Sequence, residues 1–384
     1  MGAARFMSRP MVPLDTSYEG ADPFGLLWTM RMPEPPADDW VAPEPKDFSE
    51  ITIRLMKDGH SMAQVTTQQW TMPQHIRRTP IHDLGLAAEW ILPPGDRRKR
   101  PALLVLGGSG GGLDWASKMG ALLANEGYVA LALAYFNHPD LPKHLAQVPL
   151  EYVATALDFL AAQSEVDPQR IGIIGYSKGA ELALLMAAYR PDVHAVVAIA
   201  PGCAAFQGFK PPEYPVVSSW TLNGADIPFV PNAYDSHFFE TYDGMYLWYR
   251  TLAQHDAMEK ASIAVEKING NLLLLSGVED RIWPSTLMAE HIMARLYVMD
   301  FPHKAKHLAF PEAGHGIALP PGEPTTGLSE RLGGSPQGNA AARRQGWNAI
   351  KLFLAKNLNN QLPCVPLALS VNAKSDCRMN HLTK

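Results

Sequence analysis

Between residues 101 and 310 the chain repeats short, almost unbroken apolar runs. They are "ALLVL" (102–106), "YVALALA" (128–134), "IGIIG" (171–175), "AVVAIA" (195–200), "NLLLLSG" (271–277) and "HLAF" (307–310). A strand that is apolar at every position has both faces buried, as in a parallel sheet covered by helices on each side. Amphipathic stretches at 115–126, 149–163, 178–190 and 284–298 supply the intervening helices, and "AAARRQGWNAIKLFLAKNL" (340–358) a closing one. The pattern predicts a doubly wound, mostly parallel α/β domain over residues 91–360.

Residues 1–90 have a different texture. "RMPEPPADDWVAPEPKD" (31–47) is rich in proline and acid and reads as an exposed linker. Residues 51–70 alternate around Asp58-Gly59, a hairpin signal. The expectation is a small N-terminal β domain over 1–90, too small to fold without its neighbour. Residues 201–262 break the α/β rhythm with an aromatic-rich insertion, including Phe206, Trp220, Phe239 and Trp248, expected as a lid or pocket wall. Residues 361–384 lack any period and are expected to form a loosely held tail.

Net charge of −5 without a basic block argues against nucleic acid as a partner. The three cysteines, Cys203, Cys364 and Cys377, have no metal-ligand spacing, so neither a metal nor a disulfide framework is expected. Their scarcity suggests a reducing compartment. No apolar run approaches the ~18 residues of a membrane span. The first residues lack the apolar segment of a secretory signal, and Phe6 stands where myristoylation wants Ser or Thr. The expected location is the cytoplasm.

"IGIIGYSKGAELAL" (171–184) carries the chemistry. G-x-S-x-G between a strand and a helix is the nucleophile elbow of α/β hydrolases, with Ser177 lifted above the sheet edge. The turn aims the Lys178 N–H and the helix N-terminus at a developing oxyanion. A serine hydroxyl needs a base, and the base an orienting acid. In this fold their order is Ser, Asp or Glu, then His. Asp280 follows the run 271–277, and His315, between Gly314 and Gly316, follows the run 307–310. His237, His255, His303 and His307 lack that combination, and Glu279 is the rival acid. "LGGSGGG" (106–112) allows close approach of backbone amides, so Gly108 or Ser109 is expected to give the second oxyanion donor. No P-loop or dinucleotide spacing is met, so no cofactor is expected.

Beyond these motifs, "GADPFGLLWTM" (20–30), "LGGSGGGLDWASKMGALLANEGYVALALAYF", "LEYVATALDFL", "GYSKGAELALLMAA" and "LLLLSGVEDRIWPS" resemble the acyl-CoA thioesterase and bile-acid-CoA:amino-acid N-acyltransferase family. The resemblance spans about residues 15–358. It implies an acyl-coenzyme A substrate, with Ser177 as nucleophile, Asp280 as acid and His315 as base. The transferase branch usually has cysteine at the nucleophile position, so Ser177 favours hydrolysis. A carboxylesterase and an amino acid N-acyltransferase are the alternatives. The family's N-terminal domain begins well before the "DPFGLLWTM" segment, so a truncated β-sandwich is expected here. Lys178 and the arginines of "GDRRKRP" (95–101) are candidates for coenzyme A phosphates, though a solvated basic turn is favoured for the latter. Cys203 is expected to be a packed small residue. Acyl chain length and oligomeric state are left open.

Overall fold

The computed structural model describes residues 22, 25–30, 48–70, 72–73, 75–95, 98–211, 215–318, 323–327 and 329–359. The expected linker at 31–47 and tail at 361–384 lie outside the described residues.

The strands are β1 (Phe48–Lys57), β2 (His60–Trp70), β3 (Arg77–Ile81), β4 (Ala88–Leu92), β5 (Arg100–Leu106), β6 (Val129–Leu133), β7 (Val148–Pro149), β8 (Val166–Tyr176), β9 (Ala195–Ile199), β10 (Trp220–Leu222), β11 (Ala225–Asp226), β12 (Asn271–Gly277) and β13 (Ala305–Phe310). Eight of them form one sheet in the order β13-β12-β9-β8-β5-β6-β4-β3. Its pairings are parallel from β13 to β6, and antiparallel at β6–β4 and β4–β3. The fold is α/β with a mostly parallel central sheet, and all six apolar runs are strands of it.

The helices are α1 (Gly25–Trp28), α2 (Asp114–Asn125), α3 (Leu150–Ala162), α4 (Lys178–Tyr189), α5 (Ser236–Thr241), α6 (Gly244–Leu252), α7 (His255–Ala261), α8 (Ser285–Val298), α9 (Ser329–Leu332) and α10 (Pro336–Leu354). The closing helix starts earlier than its apolar pattern. Ser335 accepts a hydrogen bond from the Gly338 N–H at 2.9 Å, and Pro336 occupies the first turn, where its missing N–H costs nothing.

Alternation along the central strands divides the core. Leu104, Leu106, Leu131, Ile173, Val196 and Leu274 pack into one cluster, while Leu103, Val105, Ala130, Ile174, Val197 and Leu273 pack into another. Successive strand side chains point to opposite faces, so these two clusters are the two helix-covered faces of the sheet.

β1 and β2 pair only with each other among the described residues. Asp58 and Gly59, at φ 50° and 78°, form the two-residue turn that the right-handed twist of a hairpin favours. β3 and β4 lie largely before residue 90 yet pair with the α/β sheet, burying Ile91 and Leu92. Residues 201–262 hold α5, α6, α7, β10 and β11, and β10 pairs with β7 outside the insertion in a small sheet of order β11-β10-β7. No helix among the described residues is long and apolar enough to cross a membrane.

Candidate active site

Ser177 follows β8 and precedes α4 with φ 56° and ψ −121°, a conformation that a residue with a side chain adopts at a cost. Its N–H donates to the Ile199 carbonyl at 2.8 Å, and its carbonyl accepts from Ala180 N–H at 2.8 Å. The flanking glycines have different reasons. A Cβ on Gly175 would lie 2.1 Å from the Gly179 carbonyl oxygen, across the turn. A Cβ on Gly179 would lie 2.1 Å from the Gly107 oxygen, so this residue is small because the end of β5 presses on the helix.

The ends of β8, β12 and β13 bring Ser177, Asp280 and His315 together at the carboxyl edge of the sheet, where open α/β sheets gather their sites. His315 Nε2 lies 3.0 Å from Ser177 Oγ, and His315 Nδ1 lies 2.8 Å from Asp280 Oδ2. An ionised carboxylate only accepts, so Nδ1 carries the ring proton and Nε2 is free to accept from the serine hydroxyl. All three residues are buried, at 4–5% exposure.

Asp280 is held on both oxygens. Oδ1 accepts from Ile282 N–H at 2.9 Å and Trp283 N–H at 3.3 Å, and Oδ2 accepts from the Ser285 hydroxyl at 2.6 Å. Counting His315, four donors converge on this carboxylate and fix its orientation toward the imidazole. The Tyr176 hydroxyl donates to the His315 carbonyl at 3.1 Å, and its ring lies 5.1 Å from the imidazole. Burial and the Asp280 charge hold that phenol well above the usual tyrosine range.

Gly108 lies against the elbow: a Cβ there would sit 3.2 Å from Ser177 Cβ and 3.3 Å from the Tyr176 oxygen. The Tyr135 hydroxyl donates to the Gly107 carbonyl at 2.6 Å, and Asn137 Nδ2 to the Gly110 carbonyl at 2.8 Å, so the glycine loop is braced from behind. Lys178 opens α4, and first-turn N–H groups have no acceptor within a helix. A cleft of about 470 Å³ borders Gly108, Ser109, Trp115, Ser177, Ile282 and His315.

The Lys178 side chain turns away from this cleft. Its ammonium is buried and donates to both Glu181 oxygens, at 2.8 and 2.7 Å, with the Phe206, Phe209 and Trp220 rings 5.3–5.9 Å away. Glu181 also accepts from Trp220 Nε1 at 2.6 Å and Phe206 N–H at 3.1 Å. A cation so enclosed is not available to coenzyme A phosphates, which corrects that candidate role. Arg100 opens β5, with Arg98 and Lys99 just before it, while Gly107 and Gly108 follow the strand's other end. The basic turn is therefore at the opposite sheet edge from Ser177, and Arg97 lies outside the described residues.

Cys203 is buried, and desolvation pushes its thiol up to about 12, so it is packed and protonated at neutral pH. The insertion reaches the site through aromatic packing: the Trp283 ring meets Phe206 at 6.2 Å and Trp248 at 5.5 Å. Sequence reading missed Tyr176, Glu181, Trp283, Ser285 and two residues of α10, Asn339 and Arg343. For Glu181 a signal existed, since Lys and Glu three apart share a helix face. For the α10 residues, "LGGSPQGN" held unused glycines and a proline at a helix start.

Comparison with known proteins accords with this architecture. The family model described as "BAAT / Acyl-CoA thioester hydrolase C terminal" matches residues 148–360, and "Acyl-CoA thioester hydrolase/BAAT N-terminal region" matches residues 9–83. Acyl-coenzyme A thioesterase 6 of Mus musculus is 31% identical over 364 residues, covering 91% of this chain and 83% of the relative. The mitochondrial acyl-coenzyme A thioesterase 2 of Mus musculus is 30% identical over 362 residues, covering 91% of this chain and 76% of the relative. Acyl-coenzyme A thioesterase 1 of Homo sapiens is 29% identical over 370 residues, covering 92% and 83% respectively. By both measures, the chain belongs to the BAAT / acyl-CoA thioester hydrolase family.

Proposed function

We propose that this protein hydrolyses an acyl-coenzyme A thioester to the free acid and coenzyme A through an acyl intermediate on Ser177. The observation that carries the reading is the hydrogen-bonded chain Ser177–His315–Asp280, at 3.0 and 2.8 Å, behind a strained elbow. Family membership supplies the thioester.

His315 Nε2 takes the hydroxyl proton as Ser177 Oγ attacks the thioester carbonyl, while Asp280 stabilises the imidazolium. The Lys178 N–H and an amide at Gly108 or Ser109 are the donors for the oxyanion. Collapse breaks the carbon–sulfur bond, and the sulfur leaves with the proton from His315. Water then gives a proton to His315, attacks the acyl-serine carbonyl, and releases the acid as Ser177 Oγ regains that proton. In this reading residues 91–360, together with β3 and β4, are the catalytic domain, the preceding residues a β appendage, and 201–262 a wall of the acyl site. A reducing compartment such as the cytoplasm is part of the same proposal.

The test is thiol release from a chain-length series of acyl-CoAs, followed with a thiol-reactive dye. Wild type turns over, and Ser177→Ala loses at least about 10³-fold, as removal of a triad nucleophile does. Turnover only of p-nitrophenyl esters would identify a carboxylesterase, and turnover only with glycine or taurine present an N-acyltransferase. Full activity in Ser177→Ala would sink the mechanism.

A further inference from the structure

The loops carrying Asp280 and His315 do not meet through their side chains alone. A third segment, "LGGSPQGNAAAR" (332–343), is threaded between them. Its Gly333 forms a β-bridge with Asp280, and its Gly334 one with Ala313. The fit admits no side chain: a Cβ on Gly333 would lie 1.9 Å from the Glu279 carbonyl oxygen, and one on Gly314 would lie 2.3 Å from the Gly333 carbonyl carbon. The acid loop also grips the base loop directly, Glu279 N–H donating to the Ala313 carbonyl at 2.9 Å.

The segment then enters α10, where Asn339 and Arg343 lie one turn apart on the same face. Asn339 Oδ1 accepts from the Gly314 N–H at 2.9 Å, and its Nδ2 donates to the Gly333 carbonyl at 3.0 Å. Arg343 Nε donates to the Gly316 carbonyl at 2.8 Å. The residues on either side of His315 are thus bonded to consecutive turns of one helix, and Tyr176 holds the His315 carbonyl between them at 3.1 Å. Both α10 side chains are 1% exposed.

Packing alone gives no reason for a guanidinium there. Among the described residues Arg343 hydrogen-bonds only carbonyls, those of Gly316 and Glu323. The Glu323 carboxylate acts on it through space rather than in contact, and Arg343 Nη2 is buried without a hydrogen bond. A buried polar atom left unpaired is costly, and a methionine would fill the volume without that cost. What an apolar side chain lacks is a donor aimed at the residue after the base.

We propose that Asn339 and Arg343 are positioning residues that hold His315 in register with Ser177 and Asp280, with Gly333 and Gly334 locking the acid and base loops to each other. This rests on the triad reading above. Neither residue touches the reacting atoms, and both act through the backbone of residues 314–316.

The experiment compares Asn339→Leu, Arg343→Met and Arg343→Lys in the full chain. The readouts are kcat and KM for dodecanoyl-CoA and the second-order rate of Ser177 labelling by a fluorophosphonate. All are taken well below each variant's melting temperature. Displacing a reacting group by a fraction of an ångström costs about 10- to 100-fold, so Asn339→Leu and Arg343→Met lower kcat and labelling by that order. KM stays within about twofold, because substrate binding is untouched. Arg343→Lys keeps one donor within reach of Gly316 and recovers activity to within about threefold. Should Asn339→Leu fail to fold, Asn339→Ser, which shortens the reach but keeps a hydroxyl, carries the same expectation. Wild-type labelling and kcat in Asn339→Leu and Arg343→Met, or losses confined to KM, would overturn the clamp while leaving the triad standing. If wild type itself is neither labelled at Ser177 nor active, the triad and the clamp fall together.

Discussion

Lys178 and Glu181 form a buried ion pair one turn apart on α4, with the ammonium 2.8 and 2.7 Å from the two carboxylate oxygens and neither side chain above 2% exposed. Burial pushes the Lys178 ammonium down and the Glu181 carboxyl up, and each charge opposes the shift of the other. Because Glu181 also accepts from Trp220 and Phe206, the pair ties the nucleophile helix to the aromatic insertion.

Breaking half of this pair strands a buried charge, which costs about 3–5 kcal/mol. Glu181→Gln keeps an acceptor for Trp220 and Phe206 but strands the ammonium. Lys178→Met strands the carboxylate. The double variant Lys178→Met/Glu181→Gln removes both charges and is expected to be more stable than either single variant by more than about 1 kcal/mol. Urea unfolding of the four proteins measures this. Simple additivity would show that the pair is not coupled.

Gly179 and Gly110 offer a matched comparison. A methyl at 179 would lie 2.1 Å from the Gly107 oxygen and 2.4 Å from the Leu106 oxygen, whereas a Cβ at 110 meets nothing within 4 Å. Gly179→Ala must move backbone against backbone and is expected to cost upwards of ~3 kcal/mol, while Gly110→Ala stays within about 0.5 kcal/mol. Melting temperatures of the two variants decide it. Equal stabilities would mean that the elbow is looser than its contacts imply.

His307 gives a pH dependence whose sign can be worked out. Its Nε2 lies 2.7 Å from Ser276 Oγ, which lies 2.8 Å from Thr286 Oγ1. Thr286 donates to the Gly277 carbonyl at 3.0 Å, so Ser276 donates to Thr286 and Nε2–H donates to Ser276. Burial holds the imidazole below the ordinary histidine range. The unfolded chain therefore binds a proton first as pH falls. Stability is complete above about pH 6.5, declines below it, and levels off beneath the folded value. His307→Gln is expected to flatten that part of the stability–pH curve relative to wild type. An unchanged slope between pH 5 and 7 would exclude His307 as its source.

Each of the six apolar runs became a strand of the central sheet. Five were readable because burial on both faces leaves few polar positions, while β13, at the sheet edge, is buried only at Phe310 and showed as a short run alone. β3 and β4 escaped notice. "RRTPI" is mixed in polarity because β3 is the edge strand and is largely exposed, whereas "AEWIL" is a buried inner strand whose five residues, one of them Glu89, are too short a run to stand out. The positions of Ser177, Asp280 and His315 were legible from motif, order and strand ends. The burial of the Lys178 ammonium was not, since nothing local says that Phe206, Phe209 and Trp220 will enclose it. The α10 contacts were equally silent, because Asn339 meets Gly314 across 25 residues and Arg343 meets Gly316 across 27.

By itself, then, the sequence determined the layer architecture, the elbow and the three strand ends where the expected catalytic groups sit. Those features are local: hydrophobic period, turn chemistry and chain order are written in neighbouring residues. Tertiary structure alone decided which glycines are pressed by distant backbone, which charge is enclosed rather than offered to a ligand, and which helix face holds the histidine. Each depends on segments brought together by burial, and the free energy that joins them belongs to no single stretch of the chain.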